Sequence, residues 1–485
     1  MKLHEHVIAL VEELDRVHPR GVANQQELKT FNEQLNFVTA DNGKVRHFTL
    51  VAQKKLRDIV TLLYDNNPDW KTKIEHDAFH DQTRRCIANL HASGQLANPR
   101  ADDAYQACQK IGDRLEQQLT DIAATFVHHI PCWTDAVSPG SDFVMGPVTF
   151  RAVDDWIDWV DFQPAAYRVG SIDEQQANKD WKGLLKTWRA AAKQNEVDGP
   201  PAGLAGDLSS ALSQCPAMAT VTVNGYESVL SKKVAHAVTQ AALDCMSLAL
   251  KTPNAFIFQI VGSTRAEPFR WTSIVGTPEG LGLPGFARTR RAIDLGSKRT
   301  RTRLANAAPL LDQGSAMLTS LLTPTSHQHP ELANRWLTAL QWLAEGCREQ
   351  DDAIAVAKLG SALDILAAGG KAKGITTMLE NFQHVSKDTP WIRGPRGELN
   401  LGQVVKAIYD SGRSQILHGT HYQRLKRFEE LRELARLIVP QALIEAAMRL
   451  AVYIGPDSEA TAFRTMTPPG SPPTDGSGIA IVPQP

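Results

Sequence analysis

At 485 residues, with 42% hydrophobic residues, 22% charged residues and ten tryptophans, the chain is too long for one ordinary core and too apolar for disorder. About three globular domains are expected, and a formal net charge of −1 leaves any phosphate binding to local clusters of Lys and Arg. Six scattered cysteines (Cys86, Cys108, Cys132, Cys215, Cys245 and Cys347) form no C-x-x-C pair, so neither a disulfide framework nor a zinc ribbon is suggested and a reducing cytoplasm fits best.

The N-terminal MKLHEHVIALVEELDRVHP alternates charge with apolar residues at helical spacing and lacks the continuous apolar run of a signal peptide. Apolar residues recur at i, i+3, i+4 through Leu56, Ile59, Val60 and Leu63 and again at Leu115, Leu119 and Ile122, predicting an all-helical region over 1–135. Pro131 and Ser138-Pro139-Gly140-Ser141 break that pattern, and a mixed α/β domain, read as a sensor or regulator, is expected over 140–310. Its predicted elements are a strand over Phe143–Phe150, a polar helix around Asp173–Lys193, a strand Ala219–Val223 and a helix Tyr226–Leu250. Strands are then expected at Phe256–Val261, Arg270–Val275 and Ser297–Leu304.

From Pro330 to Tyr453 the pattern is helical apart from a loop at Ser386–Glu398, giving a four- or five-helix domain over 325–457. Leu437–Gly455 contains Pro440, Gln441, Glu445 and Arg449, which falls short of the ~20 clean residues of a membrane span and reads as a buried amphipathic helix. The Pro-, Gly- and Ser-rich TPPGSPPTDGSGIAIVPQP cannot bury enough apolar surface to offset its chain entropy, so a disordered tail is expected over 458–485. The fold class is therefore mainly α with a mixed α/β middle domain, without a membrane segment.

The chemistry concentrates in Tyr409-Asp410-Ser411-Gly412-Arg413-Ser414-Gln415-Ile416-Leu417-His418-Gly419, which contains Arg-x4-His. Spacing alone is weak, because 30 arginines and 15 histidines yield about one chance pair at any given spacing, and Arg85 with His91 is such a decoy. Context separates the two. Arg413 is followed by polar Ser414 and Arg85 by Cys86, and the former pair lies between the apolar run Leu401, Val404, Val405, Ile408 and a long closing helix.

Residues 328–455 resemble the HEPN domain family, whose RNA-cleaving members carry Arg-polar-x3-5-His, and RSQILHG is especially similar to its Apea-like branch. The resemblance implies a C-terminal helical bundle of HEPN type, with Arg413 and His418 as catalytic pair. It also implies an acidic residue that orients the arginine, which Asp364 in Ala362-Leu363-Asp364 matches, with Glu345 as the fallback. The implied chemistry is metal-independent transesterification: the ribose 2′-OH attacks the adjacent phosphate, leaving a cyclic phosphate and a 5′-hydroxyl, with no cofactor and RNA as substrate. An imidazole suits the proton transfer and a guanidinium suits the phosphate charge. Ser414 and His421 are supporting candidates.

Five residues of an ideal helix turn 500°, leaving Arg413 and His418 about 140° apart and ~7.5 Å along the axis. Either the helix ends near His418 with Gly419 as a left-handed cap, or the site is completed across an interface, as the homodimers of the family imply. The implied role is an endoribonuclease effector in antiphage defence or growth arrest, awaiting a phage-derived or nucleotide trigger. A non-catalytic scaffold binding RNA, a nucleotide or a partner is the alternative, with Arg413 as a surface residue paired to Asp410.

Elsewhere, a period of two over Lys298–Arg303 aligns Arg299, Arg301 and Arg303 on one strand face. Such a stripe fits an RNA backbone or anionic signal, and equally a solvated strand. The glycine-rich run Gly276–Gly285 lacks the Lys-Ser/Thr of a P-loop, and His76 with His80 lacks the full H-E-x-x-H order. Neither is read as a site, and no metal ligand set is assigned. Asp154–Asp161 reads as a helix turning its tryptophans inward.

Overall fold

Helices closed by apolar residues three and four apart dominate the computed structural model, which describes residues 2–19, 23, 27–28, 30–96, 103–161, 179–194, 196, 199–201, 203–212, 215–262, 275–277, 280–282, 296–394, 397–422 and 426–468. The chain forms two compact units, Met1–His128 with Thr222–Ala235, and His129–Val221 with His236–Pro485.

The first unit contains α1 (Leu3–Val17), α2 (Phe31–Leu35), β1 (Phe37–Thr39), β2 (Val45–His47), α3 (Leu50–Asp65), α4 (Pro68–Lys73), α5 (His76–Ala92) and α6 (Ala104–Ile122). Leu10, Leu14, Leu56, Ile59, Phe79 and Leu115 fill its core. The region is not wholly helical, because β1 and β2 pair antiparallel across Asp41-Asn42-Gly43, where Gly43 takes φ +79°. A further strand, β3 (Ala124–Trp133), begins where helix was expected to continue. The decoy histidine is a core residue: Arg46 Nε donates to His91 Nδ1 at 2.7 Å, so His91 Nε2 carries the proton that faces Asp15 Oδ1 at 3.0 Å.

The second unit is built on a sheet of order β4-β5-β6-β3-β7, with β4 (Phe143–Met145), β5 (Val148–Ala152), β6 (Ala217–Tyr226) and β7 (Ile260–Val261). The pairs β4/β5, β5/β6 and β3/β7 are antiparallel. The expected single strand over 143–150 is a hairpin, because Gly146 turns at φ +56° where a Cβ would meet the Ser315 carbonyl oxygen at 2.8 Å. Helices α7 (Val153–Trp159), α8 (Trp181–Lys193) and α9 (Gly203–Leu212) share a core through Trp156, Trp181 and Leu185. Trp156 turns inward as expected, whereas Trp159 stays half exposed under the Arg151 guanidinium, 4.0 Å from its ring. Residues 162–178, which include the first turn and a half of the helix expected over Asp173–Lys193, lie outside the described residues.

The long helix α10 (Ser228–Ala249) matches its prediction, and α11 (Pro253–Phe258) takes the first half of the strand expected over Phe256–Val261, because Thr252-Pro253 starts a helix, leaving only Ile260–Val261 as strand. Most of the strand expected over Arg270–Val275 lies outside the described residues. Within the glycine-rich loop, β8 (Val275–Thr277) and β9 (Gly280–Gly282) pair antiparallel. The arginine stripe is also helical, forming α12 (Gly296–Asn306), followed by α13 (Ala308–Leu322).

The C-terminal helices are α14 (Pro330–Arg348), α15 (Asp352–Leu366), α16 (Lys371–Gln383), α17 (Leu401–Lys406), a π-helical stretch Ala407–Ser414, α18 (Gln415–Leu417) and α19 (Glu429–Leu450). Helices α14, α15 and α19 pack on one another, and the fully buried Trp336 indole donates to the Leu443 carbonyl at 2.8 Å. The expected loop at 386–398 contains the hairpin β10 (Pro390–Gly394) and β11 (Gly397–Asn400). Order extends past residue 457, since Ala462, Phe463 and Met466 are buried and Arg464 Nε donates to the Ala367 carbonyl at 2.7 Å. Residues 469–485, most of the expected tail, lie outside the described residues. Among the described residues no single helix is long and apolar enough to cross a membrane, and the one apolar pair, α15 with α16, is bent by 70°.

The first unit carries a pH response. Burial pushes the His18 imidazole down to about 4, while its Nε2 accepts the His47 amide at 3.0 Å, and burial also lowers His91. The unfolded chain then binds these protons more tightly than the folded one, so stability is complete above the unfolded value near 6.5 and is lost as pH falls toward 4. His18 is 3% exposed, and its shift corresponds to about 3 kcal/mol. Protection factors of α1 amides, with the intrinsic exchange rates divided out, should fall between pH 7 and pH 4.5. A protection factor independent of pH would contradict the assignment.

Candidate active site

A close approach between α15 and the π-helical stretch builds the site. A Cβ on Gly360 would stand 2.8 Å from Arg413 Cβ, and one on Gly412 would stand 2.4 Å from Val356 Cγ1, so two glycines let the backbones touch where any side chain would hold them apart. Short π-helical insertions widen a turn and frequently sit at functional positions. Here the stretch covers Ala407–Ser414 and carries Tyr409, Arg413 and Ser414, so the ideal α-helical angle assumed for Arg413 and His418 does not apply.

Arg413 and Asp364 come together as expected. Arg413 Nη2 lies 3.0 Å from Asp364 Oδ2, and Nη1 donates to the Tyr409 hydroxyl at 3.1 Å, with the guanidinium 5.2 Å from the Tyr409 ring centre. The pair is mostly buried, at 22% and 14% side-chain exposure. Arg413 Nε and Asp364 Oδ1 are buried without a hydrogen-bond partner, so the guanidinium is held by one hydrogen bond, to Tyr409, and one ion pair, to Asp364. Burial outweighs the pull of Arg413 and Arg464 and raises the Asp364 carboxyl above its usual range; burial likewise raises the Tyr409 hydroxyl. Glu345 does not substitute for Asp364, because it faces Arg348 at 3.5 Å and Lys358 at 3.8 Å.

His418 ends the short helix α18, and Gly419 follows at φ +69°, the left-handed cap that the sequence offered as one of two geometries. The amides of Thr420 and His421 both donate to the Gln415 carbonyl at 3.0 Å, fixing the turn. The imidazole is exposed and, among the described residues, makes no side-chain hydrogen bond, ion pair or ring contact. It is therefore not joined to Arg413. Ser414 is half buried at the end of the π-helical stretch, and His421 packs edge-on against Phe428, 5.1 Å between ring centres.

A groove of about 570 Å³ lies beside this turn, between the start of α15 at Asp351–Ile354 and the segment holding Ile416, His421, Tyr422, Lys426, Arg427 and Phe428. Tyr422 is 87% exposed. Sequence reading gave no role to Tyr409, Gly360, Gly412, Tyr422, Lys426, Arg427 or Phe428, and of the groove's residues it named only His421 as a candidate. The glycines carry no signal without the partner helix, whereas Tyr409 stands four residues before Arg413, a spacing that places neighbours on one helix face.

The arginine stripe is corrected. On a helix, residues two apart point about 200° from each other, so Arg299 and Arg303 share a face and Arg301 leaves it. Arg301 bonds the Ser138 hydroxyl, Arg303 reaches the Leu250 carbonyl at 3.4 Å, and Arg299 is exposed. The strand pattern misled because alternating Thr and Arg fit either period. His76 and His80 face Asp77 and Asp81, and among the described residues no three His, Cys, Asp or Glu side chains gather as a metal site.

Compared with protein-family models, curated proteins and solved structures, the chain matches none.

Replacing Gly360 with Ala should force Arg413 away from α15 and lower stability by about 1–3 kcal/mol, the cost of overpacking a fitted contact. A denaturant midpoint unchanged from wild type would show that the contact does not constrain the fold.

Proposed function

We propose that the chain is a cytoplasmic, metal-independent endoribonuclease effector with a HEPN-type C-terminal domain, acting in antiphage defence or as a growth-arresting toxin. The observation that carries this reading is the Arg413–Asp364–Tyr409 cluster, a guanidinium held by one hydrogen bond and one ion pair, on the helical turn that ends at the exposed His418. The guanidinium holds the non-bridging oxygens of the scissile phosphate and stabilises the charge that grows in the transition state. The imidazole accepts the proton of the ribose 2′-OH as its oxygen attacks phosphorus, and the 5′-oxygen leaves and takes up a proton. Asp364 and Tyr409 position the arginine. Lys426, Arg427 and the exposed Tyr422 supply charge and a stacking surface for the RNA beside the turn.

Purified protein incubated with RNA in EDTA should yield 2′,3′-cyclic phosphate and 5′-hydroxyl ends. His418→Ala should lower the rate at least 100-fold, the usual contribution of a general base. Loss of cleavage on chelation, restored by a divalent ion, contradicts the mechanism.

The missing contact between His418 and Arg413 favours two further readings. In the first, the active unit is a homodimer in which His418 of one chain works with Arg413 of its partner across a two-fold axis. Co-expressing Arg413→Ala with His418→Ala should then recover part of the activity, and a fully active monomer in sedimentation contradicts it. In the second, the domain is a scaffold that binds RNA, a nucleotide or a partner without cutting. Binding with unchanged RNA ends on induction supports that alternative. A phage-derived or nucleotide trigger remains part of the proposed effector role.

A further inference from the structure

Two adjoining grooves within the second unit meet at Lys251 and Ile444. The larger, about 670 Å³, runs between the C-terminal end of α10, α11 and the part of α19 around Pro440, with Leu248, Phe256, Phe382 and Leu437 on its walls. The smaller, about 420 Å³, passes Leu250, Pro309, Leu310 and Met448. Each has the size of a small-molecule site. Pro440 cannot donate to the helical ladder, which interrupts α19 where the larger groove opens.

The charges in these grooves are unequal in what they leave free. Glu433 and Glu445 line the larger groove but are committed to ion pairs with Arg436 at 3.0 Å and Arg449 at 2.7 Å. Arg436 Nε is buried without a hydrogen-bond partner, and Arg303 stands in the smaller groove. Lys251, in the left-handed conformation at φ +54°, makes no side-chain hydrogen bond or ion pair among the described residues. Lys251, exposed and without an ion pair among the described residues, therefore borders both grooves, with Arg436 and Arg303 lining one groove each and both lining glutamates paired.

We propose that the joined grooves bind an amphipathic anion, a single-chain carboxylate whose head group pairs with Lys251 and whose chain lies along Leu248, Phe256 and Ile444. An apolar chain gains by leaving water along these walls, and the carboxylate supplies the one charge that Lys251 lacks. The occupant is thus distinct from RNA and the site distinct from that of Arg413.

Calorimetric titration of the full chain with decanoate, below its micelle concentration, should give one saturable site per chain. Lys251→Gln should weaken decanoate about tenfold, corresponding to about 1.4 kcal/mol, and leave binding of the uncharged decanol unchanged. Ile444→Trp, which puts a bulky ring where the two grooves meet, should weaken binding of both. If that variant fails to fold, the exposed Lys251→Gln decides the matter. No saturable decanoate binding, or equal binding by wild type and Lys251→Gln, overturns the proposal. None of these readouts depends on RNA cleavage, so the proposal and the ribonuclease reading fail separately.

Discussion

The C-terminal bundle depends on two backbones being allowed to touch. Gly360 on α15 and Gly412 on the π-helical stretch remove the atoms that would keep these elements apart, and the resulting contact holds Arg413 against Asp364. Interiors pack near crystal density, so a single added methyl at such a crossing has nowhere to go. The arginine's position follows from this contact more than from the ion pair, which burial weakens by raising the Asp364 carboxyl.

Buried arginines tie the rest of the second unit to this bundle. Arg348, at the end of α14, pairs with the buried Asp244 of α10 and donates to the Phe256 carbonyl at 2.7 Å. Burial raises Asp244 and Arg348 opposes that shift, so each charge is tolerated because the other is present. Arg449, with no exposed surface, bonds Glu445 at 2.7 Å and the carbonyls of Asn381 at 3.1 Å and of Met466. Its Nη2 also reaches the Phe382 carbonyl at 3.5 Å, so one guanidinium fastens α16, α19 and the segment after residue 460. A planar group with five donors on three nitrogens can reach oxygens on separate elements at once, where an ammonium offers three donors from a single nitrogen.

The same geometry gives the candidate site its asymmetry. Arg413 is held by a carboxylate and a phenol, while His418 stands exposed on a glycine-capped turn.

The sequence by itself determined the long helices and the strand within Ala217–Tyr226, because periodicity is a local signal, whereas it left the glycine-capped end at His418 as one of two geometries and offered the pairing of Arg413 with Asp364 only through a family resemblance. It misread segments whose local preferences are balanced, namely Gly296–Asn306 and Pro253–Phe258, where alternating or β-prone residues are helical in the folded chain. The hairpin at Gly146 was also hidden, since the reason for a turn there is the Ser315 carbonyl, far away in sequence. Only the tertiary structure decided the partners of the buried arginines, the docking of Phe463 and the role of Gly360, because a glycine's worth and a buried charge's tolerance are properties of what lies opposite them. Those neighbours are brought together by packing between segments far apart in the chain, such as Arg348 with Phe256 and Arg449 with Asn381, which no local pattern encodes.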